Sequence, residues 1–274
     1  MKKLLCILCI IAITITLSAC GENGTGETSS APSTAGSAPG ADPVGVLAQA
    51  QFFTVDEAAE INASIRAGDV NLIQFQSPPS GNPVAVIHTT SGDITIVLYP
   101  EQAPMAVENF ITHAQNGYFD GMTFYRVIED FIIQSGAPEF ERAISVFTDE
   151  DGEPAFFASE FSLDLWNFRG ALVMANASTS TVLRPNSNTS EFFIVQADYV
   201  SADVLETMRE AGVPEAVIEK YAEVGGVPGF DWRNTVFGMV IEGMDVVDEI
   251  ASGDTNQMHT PYDPAVIDRI TIRN

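Results

Sequence analysis

The chain has 274 residues, with 12 Lys and Arg against 37 Asp and Glu, a formal net charge of −25 at pH 7, three cysteines and three histidines. That acidity excludes nucleic acid as an electrostatically driven partner, because it repels the phosphate backbone instead of neutralising it. Cys6, Cys9 and Cys20 all fall within the first twenty residues, so the remainder can hold neither a disulfide nor a thiolate metal site, and no metal or cofactor is expected.

In chain order, Met1, Lys2 and Lys3 precede an apolar run from Leu4 to Leu17, the layout of a secretory signal over residues 1–19 and too short to span a bilayer comfortably. Leu17-Ser18-Ala19-Cys20 resembles the lipobox of bacterial lipoproteins. That resemblance implies lipidation of Cys20 and an exported protein anchored to the outer face of the cell membrane; an ordinary signal peptide or an uncleaved anchor is the alternative. Loss of the signal leaves ten basic residues (twelve less Lys2 and Lys3) against 37 acidic ones, a formal charge of −27. Such a charge repels anionic headgroups, so membrane attachment rests on the lipid at Cys20.

Residues 20–45 are the lipidated cysteine followed by mostly Gly, Ser, Thr, Ala, Pro and Glu, a composition that cannot bury enough apolar surface to fold. As a flexible tether it reaches about 25–30 Å. Residues 46–83 form an N-terminal extension, with a short helix expected after Thr54 and a stop at Pro78-Pro79, and nothing in its residues points to a function.

Residues 84–274 suffice for one domain with a sizeable core. Val84–His88 and Ile94–Tyr99 alternate around Ser91-Gly92-Asp93, which predicts a β-hairpin. Ala103, Val107, Phe110, Ile111 and Ala114 recur at helical spacing ahead of Gly117. Further strands are predicted at Thr123–Val127, Phe131–Gly136, Ala171–Asn176, Phe192–Gln196, Val236–Ile241 and Val266–Ile272, and a second long helix at Met244–Ala251, ended by Gly253. The expected fold is mainly β: a closed eight-stranded antiparallel barrel capped by two helices, with a small helical insert near 200–226 whose helices start at Ser201 and Pro214.

Common catalytic signatures are missing. His88, His113 and His259 are the only histidines, and none lies in an H-E-x-x-H or nucleophile-elbow context, so zinc proteolysis and serine-triad hydrolysis lack their parts. His88, in a predicted strand, and His113, on a predicted helix surface, read as structural or solvated. No P-loop or dinucleotide fingerprint is present. The informative stretch is Phe124-Tyr125-Arg126-Val127-Ile128-Glu129-Asp130-Phe131-Ile132-Ile133-Gln134-Ser135-Gly136, where Arg126 and Gln134 interrupt apolar strand positions and would emerge beside Phe131. Taken alone, Arg126 reads as a solvated or ion-paired residue and Phe131 as core.

This stretch is similar to the cyclophilin signature F-x-R-x-I-x-x-F-x-x-Q-x-G. Two further blocks follow in the family's order: Phe168 to Ala177 with Asn188 to Ile194, and Thr235 to Val240 with Glu242 to Val247. The resemblance implies a peptidyl-prolyl cis-trans isomerase in which Arg126, Phe131 and Gln134 are catalytic. It implies that Phe131, Ile132 and Phe193 hold the proline ring, that Gln134 and the backbone of Ala175, Asn176 and Ala177 grip the flanking peptide, and that Glu191, Phe230 and Asn234 complete the substrate-binding set. The implied partners are proline-containing peptides and unfolded or partly folded exported proteins, met by a monomer on a tether. Departures are Gly229, where the family often has Trp or His, Asn234 in place of His, and Glu191 in place of Gln. The loop after Gly136 lacks a glycine-rich run, and residues 178–187 carry Leu183 and Arg184. Those losses keep open a non-catalytic peptide-binding or chaperone module on the same fold. A solute-binding lipoprotein of a transporter is disfavoured, since it needs two lobes of alternating strands and helices.

Overall fold

The computed structural model describes residues 55–68, 70–78, 80–138, 142–178, 184 and 186–273. The expected signal, Cys20, the tether, Thr54, Pro79 and Leu183 lie outside them.

Two antiparallel strands, β1 (Val84–Thr89) and β2 (Gly92–Leu98), form the expected hairpin in a register running from Val84 opposite Val97 to Thr89 opposite Gly92. The turn therefore sits at Thr90-Ser91, upstream of the expected position, and Gly92 already belongs to the return strand. Helix α1 (Val55–Ala67) precedes this hairpin, and α2 (Pro104–Gln115), β3 (Arg126–Ile128), β4 (Ile132–Ser135), β5 (Ala171–Met174), β6 (Phe192–Val195), β7 (Val236–Glu242), α5 (Met244–Ala251) and β8 (Ile267–Arg273) follow it. All the strand pairs are antiparallel, and the eight strands make one sheet of order β3-β4-β6-β5-β7-β2-β1-β8.

The sheet curls without a closing ladder, which corrects the closed barrel expected from the sequence. Between the two edges of the sheet the described residues show one isolated bridge, Thr123 to Val266, just ahead of β3 and β8. It is flanked by backbone hydrogen bonds from Gly121 N to Ile267 O, Phe124 N to Ala265 O and Ile267 N to Met122 O, while Val127 N–H donates to His259 O at 2.9 Å in a loop. A three-residue β3 already paired with β4 offers too little chain for a second ladder.

Alternation along the strands separates two faces. The register row Val127, Ile133, Ile194 and Leu172 points into the enclosed core, where α2 contributes Ala106, Val107, Phe110 and Ala114 and α5 contributes Val247, Ile250 and Ala251. Helix α2 opens on Pro104, whose missing N–H costs nothing at that position. Its next two N–H groups, of Met105 and Ala106, donate to the Glu160 carboxylate at 3.0 Å each. Helix α5 ends at Ala251 as expected, and Gly253 follows its cap Ser252 without the left-handed backbone that a glycine stop takes.

His113 departs from the surface position expected of it. It lies 5% exposed on the inner side of α2, its Nε2 3.1 Å from Ile144 O and its ring 4.2 Å from that of Tyr118. Burial lowers its pKa from the ordinary value and holds it neutral. One turn earlier, Asn109 donates to Thr189 O and accepts from Val146 N–H. Backbone of the loop around residues 144–146 thus satisfies two polar side chains that helical spacing alone would turn to solvent.

The insert forms as anticipated: Ser201 Oγ accepts from Val204 N at 3.4 Å to start α3 (Ala202–Ala211), Gly212 ends it at φ 83°, and α4 (Glu215–Val224) follows Pro214. Its apolar face meets α1 (Val55–Ala67) and the body of the domain in one cluster holding Ala58 and Ile65 with Met208, Val217, Ile218 and Tyr221 and with Trp166, Phe168 and Trp232. Described residues of the N-terminal extension are thus part of the packed domain.

Candidate active site

On the outer face of the sheet, strand pairing places Arg126 opposite Gln134, Gln134 opposite Phe193, and Phe193 opposite Val173. Directly opposed residues share a face, so this row runs across β3, β4, β6 and β5, back to back with the core row. Its polar members are the residues that interrupt the apolar pattern in the sequence.

Phe131 sits in the tight connection between β3 and β4, where Asp130 turns the chain at φ 56°, a left-handed conformation that a short polar side chain tolerates. The Phe131 carbonyl accepts from Gln196 N at 2.8 Å and Ala197 N at 3.2 Å, which fixes the residue against β6. Phe230, in a 3₁₀ turn at Pro228–Phe230, lays its ring 5.3 Å from Phe131 and 5.1 Å from Phe193. Phe131, Ile132, Phe193 and Ala175 share one buried cluster against which Phe230 packs. Gly229 brings no side chain here, and its neighbour Phe230 covers both rings.

Behind Phe230, Asp231 is 2% exposed and accepts from Asn167 N at 2.9 Å, Asn167 Nδ2 at 2.8 Å and the Tyr221 hydroxyl of α4 at 2.8 Å. Burial raises its pKa to about 7, against the opposing pull of those donors. The insert thereby pins the turn that presents Phe230.

The remaining expected residues lie nearby with their polar groups engaged. Asn176 Nδ2 donates to Arg233 O at 2.8 Å while Asn234 Nδ2 donates to Met174 O at 3.0 Å, a reciprocal clamp between the end of β5 and the start of β7. Ala175 N–H donates to Glu191 O at 2.9 Å and Ala177 N–H to Ser187 Oγ at 2.8 Å. The Asn234 amide and these two N–H groups therefore support the site's walls, while the side chain of Ala177 is exposed.

Sequence reasoning missed Tyr125. Arg126 Nη1 donates to Gln134 Oε1 at 3.2 Å, Gln134 Nε2 donates to the Tyr125 hydroxyl oxygen at 2.6 Å, and that hydroxyl donates to Glu191 Oε1 at 2.5 Å. Burial, and then the Glu191 carboxylate, hold the Tyr125 hydroxyl far above the usual phenol value. Burial lowers the Arg126 guanidinium from its ordinary value. Strict alternation would turn Tyr125 away from Arg126, but the β3 ladder begins only at Arg126, so the one available signal was the adjacency of a phenol to the arginine. Among the described residues no group of three or more His, Cys, Asp or Glu is placed to hold a metal ion.

An antiparallel sheet curled over two plugging helices, with a guanidinium–amide pair beside an aromatic cluster on its outer face, defines the cyclophilin class. Comparison with known proteins agrees. The family model described as cyclophilin type peptidyl-prolyl cis-trans isomerase/CLD matches residues 84–272. A protein of Staphylococcus saprophyticus named "Putative peptidyl-prolyl cis-trans isomerase" is 42% identical over 205 residues, covering 74% of this chain and 98% of that protein. One of the same name from Staphylococcus aureus is 41% identical over 195 residues, covering 70% of this chain and 92% of its own length. The crystal structure of a Cryptosporidium parvum cyclophilin type peptidyl-prolyl cis-trans isomerase, determined in the presence of the dipeptide Ala-Pro, matches with a TM-score of 0.53 at 25% identity, covering 70% of this chain and 99% of that one. The chain belongs to the cyclophilin-type peptidyl-prolyl cis-trans isomerases.

Proposed function

We propose that Arg126 stabilises a twisted X-Pro amide whose proline ring rests on Phe131, Ile132, Phe193 and Phe230, and that the enzyme does this for exported proteins at the outer face of the membrane, held there by lipid on Cys20. Rotation about X-Pro must break amide resonance, a barrier of about 18–20 kcal/mol, yet makes and breaks no other bond. The enzyme therefore needs no nucleophile; it needs to bind the twisted amide better than either planar form. As the amide twists, the prolyl nitrogen regains a lone pair. A preorganised, half-buried guanidinium donating to that nitrogen favours the transition state selectively, and every ~1.4 kcal/mol of selectivity is worth about tenfold in rate.

The observation that carries the reading is the register row Arg126, Gln134 and Phe193, which puts the cation beside the aromatic cluster. Gln134 and the chain at Ala175, Asn176 and Ala177 hold the peptide on one side of the rotating bond. Proline-containing peptides as substrates are supported by the structural relative determined with Ala-Pro. The signal-like Leu4–Leu17 run and Cys20 support export and anchoring, and a monomer suffices for the chemistry.

Exchange spectroscopy on an Ala-Pro peptide, with the full chain added in substoichiometric amounts, tests the activity. Faster cis-trans exchange is expected, and unchanged exchange across varied residues before proline would overturn it. For the anchor, Cys20→Ser is expected to move the protein from the membrane to the soluble fraction of the producing cell; equal membrane retention would contradict lipidation.

A further inference from the structure

The hydrogen bonds around Arg126 have a direction set by chemistry. Ionised Glu191 can only accept, so the Tyr125 hydroxyl must donate its single hydrogen to Oε1, at 2.5 Å. Its oxygen then faces Gln134 as an acceptor only, and the 2.6 Å contact there must come from the amide nitrogen. With Nε2 committed to Tyr125, the amide presents Oε1 to Arg126 Nη1 at 3.2 Å. Each of the four side chains is half-buried, which limits competition from water.

Resting on the isomerase reading above, we propose that Glu191 and Tyr125 are positioning residues that act through Gln134 on the orientation of the catalytic Arg126, and that Glu191 does not serve as a direct peptide contact. A glutamine amide has two orientations of nearly equal shape. In the flipped one its NH₂ group would meet the guanidinium, donor against donor, and the arginine would lose the acceptor that holds it. The carboxylate removes that ambiguity. A neutral glutamine at position 191 could accept from Tyr125 or donate to it, so the chain Gln134–Tyr125–191 could run in either direction. Only an acceptor-only group at the end polarises it one way. The short contact at its carboxylate end is that expected of a charge-assisted hydrogen bond.

Three variants of the full chain test the relay: Tyr125→Phe removes the middle link, Glu191→Ala the end, and Glu191→Gln only the charge. Tyr125→Phe and Glu191→Ala are each expected to lower kcat about tenfold with KM nearly unchanged, and the double variant to lose no more than either alone, as befits members of one chain. Glu191→Gln is expected to fall between Glu191→Ala and the unaltered chain. Retention of kcat in both single variants, multiplying losses in the double variant, or an effect confined to KM would overturn the proposal, the last by making Glu191 a peptide contact. The Gln134 side-chain amide signal in an NMR spectrum reports the relay without any substrate. It should shift in Tyr125→Phe and in Glu191→Ala, and a signal insensitive to both would overturn the relay even in an active enzyme. If the chain proves inactive, this signal still reports the relay and separates its failure from that of the isomerase reading.

Discussion

Gln74 and Trp166 hold one another by two hydrogen bonds: Gln74 Nε2 donates to Trp166 O at 2.9 Å, and Trp166 N–H donates to Gln74 Oε1 at 2.8 Å. The side-chain amide imitates a strand neighbour and ties the segment ahead of β1 to the backbone that leads into β5. Gln74→Ala would leave a buried donor and acceptor unpaired, at about 1–3 kcal/mol each. The expected result is a lower urea midpoint with the transition still single. An unchanged midpoint would mean that this pair adds nothing to the domain's stability.

Phe230 rests on both Phe131 and Phe193 and remains half-exposed. Phe230→Ala removes two aromatic contacts worth about 0.5–1.5 kcal/mol each. It also strips one wall from the proposed proline cup. A rise in KM for proline peptides larger than the fall in kcat is expected, with Phe230→Leu recovering most of it. Equal kinetics in Phe230→Ala would remove this residue from the substrate-binding set.

Asp231 should leave a signature in the pH dependence of stability. Its pKa in the folded chain is raised to about 7 from an ordinary value of 3.8. Between those values the folded chain keeps a proton that the unfolded chain releases, so stability falls as pH rises through this window and becomes level above it, by an amount on the order of a few kcal/mol. Asp231→Asn cannot titrate. Comparing urea midpoints of the two chains from about pH 4 to pH 8 isolates the effect, because other titrating groups are shared. The variant's curve should be flatter and should lie higher, relative to the unaltered chain, at the alkaline end; parallel curves would show that Asp231 does not hold the proton.

The strands were legible because period-two alternation is a local property: the eight predicted segments overlap β1 to β8, and the Arg126 and Gln134 interruptions mark the outer face correctly. Closure was not legible, since it depends on how far the segment ahead of β3 and the loop near His259 pair across the gap with a strand of three residues. Partnerships between distant polar groups were equally hidden. Nothing local says that Gln74 will bind Trp166, that the loop at Ile144 will cover His113, or that Asn234 will be used on Met174. Glu191 was visible as an unusual acid at the site, but its hydrogen bond to Tyr125 spans 66 positions of chain. Residue type indicated which side chains matter, and only tertiary contact indicated what they touch.

The most direct test is proline isomerisation by Arg126→Ala measured together with binding of the same peptide. Removing one preorganised donor from an oxyanion hole costs about 10²–10³ in kcat, and Arg126→Ala removes a donor of the same kind while leaving in place the aromatic cluster that holds the ring. The expected result is a loss of that size with peptide affinity and folding nearly unchanged. Full turnover in Arg126→Ala would contradict the assigned chemistry.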